Sequence, residues 1–312
     1  MEDKQKMNML CDAAAKDYYI ECGEAYDGSF RLDLASRLID AHCHIYPDGI
    51  AARAVHAINR FYEGLPAEPC DGTIQTLLRV GEKQGLSGFV VHSVATSAHQ
   101  VARINEFLAQ SKAASGGRFI ALGTLFPDSP DTDSDFANIQ RLGLSGVKIH
   151  PDIQRFDADS PWAMHVYELC EEAGLPVLVH TGDYRYDYSN PPRVEKVLRA
   201  FPRLKFIGAH FAGWSVWDEA VRRLADYPNL TVDTSSSFYW LMPDHAREII
   251  WAFGSERVMF GSDYPMWSRR PELEYLRRLD LNKEEYEDIC WRTCTQLFKE
   301  EHIQCQTEIK NT

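Results

Sequence analysis

The chain has no hydrophobic run of the roughly 18 to 20 residues that a membrane span requires. Its first residues, MEDKQKMNML, hold no apolar core long enough for a secretory signal. No membrane partner is therefore expected, and the cytoplasm is the expected compartment. Positive charge is also short: 33 Lys and Arg stand against 46 Asp and Glu, a formal net charge of −13. A nucleic-acid binder needs a basic footprint for phosphates, so nucleic acid is excluded as a partner. An anionic small molecule is not excluded, because it responds to the local field of its site. The eight cysteines, at 11, 22, 43, 70, 170, 290, 294 and 305, form no Cys-x-x-Cys pair. That argues for reduced thiols rather than a disulfide framework. Cys290 and Cys294 are one turn apart on a predicted helix, but no third ligand nearby completes a metal set. No Gly-x-Gly-x-x-Gly follows the first predicted strand, so the usual dinucleotide turn is missing. No fixed-period repeat or low-complexity linker divides the chain.

What is present is an alternation. At 312 residues the chain fits one large α/β domain or two ordinary ones. Short apolar strands are expected at 38–44, 88–94, 118–125, 146–150, 176–181, 205–210, 230–235 and 258–263. Amphipathic helical patterns lie between them, for example at 100–113, 161–173, 192–201, 216–227 and 243–253. Eight such units fit a closed (β/α)8 TIM barrel, although a doubly wound sheet alternates in the same way. The barrel is favoured because the dinucleotide turn is missing and the candidate ligands lie at the C-terminal ends of several strands. The expected organisation is an N-terminal extension at 1–37, a barrel at 38–300 and a tail at 301–312. The barrel's final helix, 283–299, places Tyr286, Ile289, Cys290, Thr293 and Leu297 on one face.

The candidate ligands begin with Asp40-Ala-His42-Cys43-His44. In a strand, His42 and His44 point the same way, and two neutral imidazoles can share a divalent cation. The pair alone also fits two core histidines. Three later strands end in His180, His210 and Asp263, which changes that balance. His42, His44, His180 and Asp263 supply a nitrogen and oxygen set suited to zinc, manganese or iron. A cation with an open position lowers the pKa of its water to roughly 7. Asp263 then accepts the proton and passes it to a leaving group, and His210 binds substrate, shuttles a proton or ligates a second metal. Cys43 alternates away from the pair and reads as a small buried hydrophobe.

In order along the chain, IDAHCH at 39–44, GVKIHP at 146–151, GLPVLVHTGD at 174–183, FIGAHFAG at 206–213 and RVMFGSDYPMW at 257–267 resemble the amidohydrolase superfamily. The match is to its amidohydrolase-related (type 2) branch of metal-dependent hydrolases and decarboxylases. The resemblance spans roughly residues 38 to 300. It implies a barrel with metal ligands His42, His44, His180 and Asp263, and a catalytic or substrate-polarising His210. It implies one divalent ion, zinc first and Mn2+ or Fe2+ next. The less favoured form is a second ion bridged by a carboxylated Lys148. An unmodified Lys148 instead binds a substrate carboxylate or phosphate as a point charge. Family oligomers make a homodimer or homotetramer the expected assembly.

Around this set, His150 is a pocket candidate, and Arg185 in the tyrosine-rich segment 183–190 is a candidate carboxylate clamp. Trp214, Trp240 and Trp267 follow strand ends and wall either the pocket or an interface. His92 reads as structural, and Asp233 carries no assigned role. The favoured function is hydrolysis of an amide, ester or lactone in a small anionic or aromatic substrate. The alternative is nonoxidative decarboxylation of an aromatic or unsaturated acid.

Overall fold

The structure, a computed structural model, describes residues 13–25, 35–63 and 70–299. Among these residues, eight parallel strands alternate with helices. They are β1 (Ile39–His44), β2 (Gly88–His92), β3 (Phe119–Ala121, resuming after Leu122 as Gly123–Thr124), β4 (Val147–Ile149), β5 (Val177–Val179), β6 (Phe206–Gly208), β7 (Leu230–Asp233) and β8 (Val258–Met259). Each pairs with the next in chain order. The ring closes where the Ala41 N–H donates to the Phe260 carbonyl at 2.7 Å and the His44 N–H to the Tyr264 carbonyl at 2.6 Å. This is the (β/α)8 barrel, and closure leaves no exposed sheet edge.

Two apolar layers follow from the strand period. Val91, Val147, Ile149, Val177, Phe206 and Val232 face the surrounding helices. Ile39, Ala41, Val90, Ile120, Leu178, Ile207 and Met259 fill the barrel. Strict alternation from Ile39 would turn His42 and His44 outward. A register shift in β1 between Asp40 and Cys43 prevents this. After that bulge Cys43 joins the outer layer, and His42 and His44 turn toward the interior, as bulges near active sites often arrange. The pairing of the two histidines was legible in the sequence; the irregularity that aims them was not.

The strands end earlier than their apolar runs suggest. Beyond β6, His210, Phe211 and Ala212 adopt φ of 61°, 53° and 56°, and beyond β8 Asp263 adopts 57°. Non-glycine residues seldom occupy that region, and such strain gathers at functional sites. The final helix is interrupted by a π-turn at Asp288–Arg292. There the Ile289 carbonyl accepts the Phe260 N–H at 2.8 Å. As a result Cys294 and Thr295 are buried while Leu297 is only partly so, and Trp291, Cys294 and Leu297 seal the barrel's inner layer. Cys290 is buried, which pushes its thiol pKa up to about 12.

The helix Ala13–Ala25 packs on the helix Arg269–Arg277. Tyr19 donates to Glu272 at 2.6 Å and sets its ring edge against Tyr239 and Trp267. This part of the expected extension therefore braces the wall on the strands' C-terminal side rather than the floor. Residues 1–12 and 26–34 of that extension, together with 300–312, lie outside the described residues. No helix among the described residues is long and apolar enough to cross a membrane.

Candidate active site

At the C-terminal end of the barrel lies a cavity with two adjoining lobes. The deeper lobe is lined by His42, His44, Lys148, His150, His180, His210 and Asp263 among others. The upper lobe shares Tyr62, His180, His210 and Asp263 and adds Trp214, Trp240 and Trp267. The five residues expected to form the core of the site thus meet in one place, together with Lys148, His150, Trp214 and Trp267.

Asp263 is the hub. Its Oδ1 lies 3.5 Å from His42 Nε2 and 3.4 Å from His44 Nε2. Its Oδ2 accepts a hydrogen bond from Ser236 Oγ at 2.5 Å, and Ser236 in turn accepts from Trp267 Nε1 at 2.8 Å. Burial pushes the Asp263 pKa up, but His42 and the hydrogen bond with His44 outweigh it and hold the carboxyl well below the usual range. His44 is driven by burial down to about 4, against the pull of Asp263.

Hydrogen-bond partners assign the tautomers. His42 Nδ1 donates to Asp233 Oδ2 at 2.8 Å, which leaves Nε2 as the position for a ligand lone pair. That buried nitrogen has no hydrogen-bond partner, and it faces a carboxylate oxygen. Two acceptors 3.5 Å apart in a largely buried site call for a cation between them. The separation fits: two ligands about 2.1 Å from a tetrahedral ion sit roughly 3.4 Å apart. The His42–Asp263 and His44–Asp263 pairs therefore each have the spacing of two ligands on a shared divalent ion.

His210 Nδ1 donates to the Ser235 carbonyl at 2.9 Å, and its Nε2 lies 3.0 Å from His180 Nδ1. His180 Nδ1 is then the donor, and its Nε2 keeps a lone pair that is buried and without a partner. That nitrogen turns toward Asp152, 3.9 Å away. His180 lines the cavity but pairs first with His210, so the structure groups it with His42, His44 and Asp263 less closely than the expected four-ligand set implies. Burial drives His210 down to about 4 and His180 well below the usual imidazole value.

Lys148 is buried in the deep lobe, and desolvation lowers its pKa to about 8 despite Asp233 and Asp263. His150 stacks on His180 with ring centroids 3.9 Å apart. It accepts from the Ile153 N–H at 3.3 Å, which leaves Nε2 to donate to Tyr62 Oη at 3.0 Å.

Arg185 is the exception among the expected residues. Its Nε and Nη2 grip both oxygens of Asp183 at 2.9 and 2.7 Å, and Nη1 donates to the Phe61 carbonyl at 2.7 Å. The guanidinium is packed against Phe61, Tyr62 and Trp214. It ties the segment 183–190 to the end of the helix Asp48–Phe61 and is absent from the cavity lining. A guanidinium with a buried aspartate beside it has no fork left for substrate.

Several residues that matter were not singled out by sequence. Asp233 holds His42, takes the His210 backbone N–H at 3.1 Å and accepts from Ser235 Oγ. Burial would raise its pKa, yet His42 brings it down to about 2. Its place at the end of β7, where β1 and the segments after β5, β6 and β8 carry their candidates, was the available signal. Asp40 Oδ1 accepts from the Ser262 N–H at 2.9 Å, and Oδ2 accepts from Ser262 Oγ and Arg269 Nε, each at 2.5 Å. This buried network fixes the chain entering Asp263 against β1. Tyr62 sits at a helix end, where no strand-end pattern reaches it.

A family model described as "Amidohydrolase" matches residues 39–299. Among solved structures, the chain is similar to an uncharacterised TIM-barrel protein from Bordetella bronchiseptica, with TM-score 0.71, 22% identity and coverage of 85% of this chain and 99% of that one. It is also similar to a 5-carboxyvanillate decarboxylase from Sphingomonas paucimobilis, with TM-score 0.65, 19% identity and coverage of 84% and 99%. A third is a candidate 2-pyrone-4,6-dicarboxylic acid hydrolase from Pseudomonas putida, with TM-score 0.60, 20% identity and coverage of 86% and 99%.

Proposed function

The chain belongs to the amidohydrolase family, and on that premise we propose that it is a metal-dependent hydrolase cleaving an amide, ester or lactone of a small aromatic or unsaturated anionic substrate. The observation that carries this reading is the direction of the protons. Asp263 is held as an ionised acceptor. The Nδ1 proton of His210 is committed to the Ser235 carbonyl, and its Nε2 accepts from His180. Asp263 is therefore set to take a proton, as attack by water requires, and His210 stores none for delivery to carbon.

His42, His44 and Asp263 would hold the divalent ion, with zinc or manganese suited to the donors, and His180 beside them. When bound, the ion supplies Lewis acidity and lowers the pKa of nearby water. Asp263 takes the proton from the attacking water and returns it to the leaving group. Its Oδ2 bond to Ser236 keeps Oδ1 aimed at the reacting side during both transfers. Lys148 sits at the floor as a cationic partner for a substrate carboxylate. Tyr62, Trp214, Trp240 and Trp267 sandwich a flat substrate and exclude water above it.

The second reading, decarboxylation, is supported by that aromatic wall and by the Lys148 amine, a cavity side chain with a proton to spare. The 5-carboxyvanillate decarboxylase among the similar structures points the same way. The two separate in labelled water. Metal-loaded protein is screened against aryl and unsaturated lactones, amides, esters and acids in H2 18O and in D2O. One 18O per turnover in a product carboxylate supports hydrolysis. Carbon dioxide release with deuterium on carbon supports decarboxylation and overturns the first reading.

A further inference from the structure

His92 is the last residue of β2, paired in register with His44 on β1. It is fully buried, and neither of its ring nitrogens has a hydrogen-bond partner. A neutral imidazole always carries one N–H and one lone pair, so either tautomer leaves a donor and an acceptor unsatisfied. Leaving such groups buried without partners is costly. A phenyl ring would fill the same space without that cost.

The neighbours repeat the pattern. The His92 ring meets His44 edge-on at 4.4 Å between centroids and His42 at 4.7 Å. His42 Nε2 is likewise buried without a partner. One ligand nitrogen from each of the three rings lies within 4.8 Å of the others.

We infer that His92 is an additional imidazole of the metal centre, contributed by β2 and joining His42 and His44. This rests on the reading that a divalent ion binds between His42, His44 and Asp263. A third imidazole shifts the donor set toward nitrogen, so zinc and cobalt are preferred over magnesium and calcium.

The test is Co2+ titration of chelator-stripped wild type, His92→Phe and His92→Gln, followed by visible absorption and by competition for affinity. The expected result is a loss of about 10- to 100-fold in Co2+ affinity in both variants, with altered ligand-field bands. A His92→Phe protein that binds Co2+ as tightly as wild type, with identical bands, overturns the inference and leaves the metal-site reading standing. A wild type that binds no Co2+ overturns both. Should the variants fail to fold, a crystal structure of cobalt- or zinc-loaded wild type decides. An ion within about 2.3 Å of a His92 nitrogen supports the assignment, and one beyond about 3 Å refutes it.

Discussion

The floor of the cavity is built from strand ends, and its upper wall is built from a helix end and loops. At the floor, His42 is held by Asp233 at 2.8 Å, His210 by Ser235 at 2.9 Å and Asp263 by Ser236 at 2.5 Å. Each functional ring or carboxylate has one atom tethered and another turned into the cavity, so its orientation and its tautomer are fixed together. At the wall, Tyr62 comes from beyond the helix Asp48–Phe61, and Trp214, Trp240 and Trp267 come from segments following β6, β7 and β8. Their grip on the frame is mostly packing: Tyr62 meets Trp214 at 5.2 Å and Trp214 meets Trp240 at 6.3 Å between centroids. The floor therefore sets the chemistry, and the wall sets the substrate's shape. Trp267 connects them, since the Trp267–Ser236–Asp263 chain runs from one to the other.

That division can be broken at the floor first. Asp263→Asn removes the proton acceptor; kcat is expected to fall by about 10²- to 10⁴-fold with KM little changed, measured on any substrate the labelled-water screen yields. Asp233→Asn attacks the tether behind His42. Cation affinity should drop about 10- to 100-fold, and added metal should restore much of the lost turnover. Full affinity in that variant would show that the Asp233 bond does not orient His42.

At the wall, Trp214→Ala should raise KM about 10-fold while leaving kcat within a few-fold and metal affinity untouched. Trp267→Phe sharpens the comparison because it keeps the ring but drops the bond to Ser236. A purely wall residue would change KM alone; the link to Asp263 predicts a several-fold fall in kcat as well.

The smallest effect concerns Asp152 beneath His180. Burial raises its pKa from the ordinary carboxylate range to about 7, against the Ser189 hydrogen bond. The folded state then binds more protons than the unfolded state between about pH 4 and 7, so this group's contribution to stability is full at low pH and lost as pH rises through 7. In chelator-treated protein, Asp152→Asn should raise Tm by several degrees at pH 8 and by nothing measurable at pH 4. A Tm gain of equal size at both values would show that the carboxylate titrates normally.

How much of this was legible follows from the same contrast. Strand-end residues announce themselves because an apolar run ending in His or Asp is a local pattern; β1, β5, β6 and β8 gave His42, His44, His180, His210 and Asp263 that way. Asp233 has the same placement at the end of β7 and was passed over for want of a second member. The bulge in β1 is a matter of pairing with β2, which no single-strand period encodes. Arg185 was misread as a clamp because its partner Asp183, two residues away, looked like one more polar loop residue. Instead the pair neutralises itself and leaves the guanidinium to bridge to Phe61. Tyr62 and Ser236 reach the cavity only through the fold, and nothing in their flanking residues marks them.

The central claim is that one divalent ion sits among His42, His44 and Asp263. Elemental analysis of protein loaded with Zn2+ or Mn2+ and then dialysed tests it most directly, with wild type beside His42→Ala/His44→Ala. The account predicts about one ion per chain in wild type and none in the folded double variant. No bound ion in wild type, or an undiminished ion in the double variant, would contradict it.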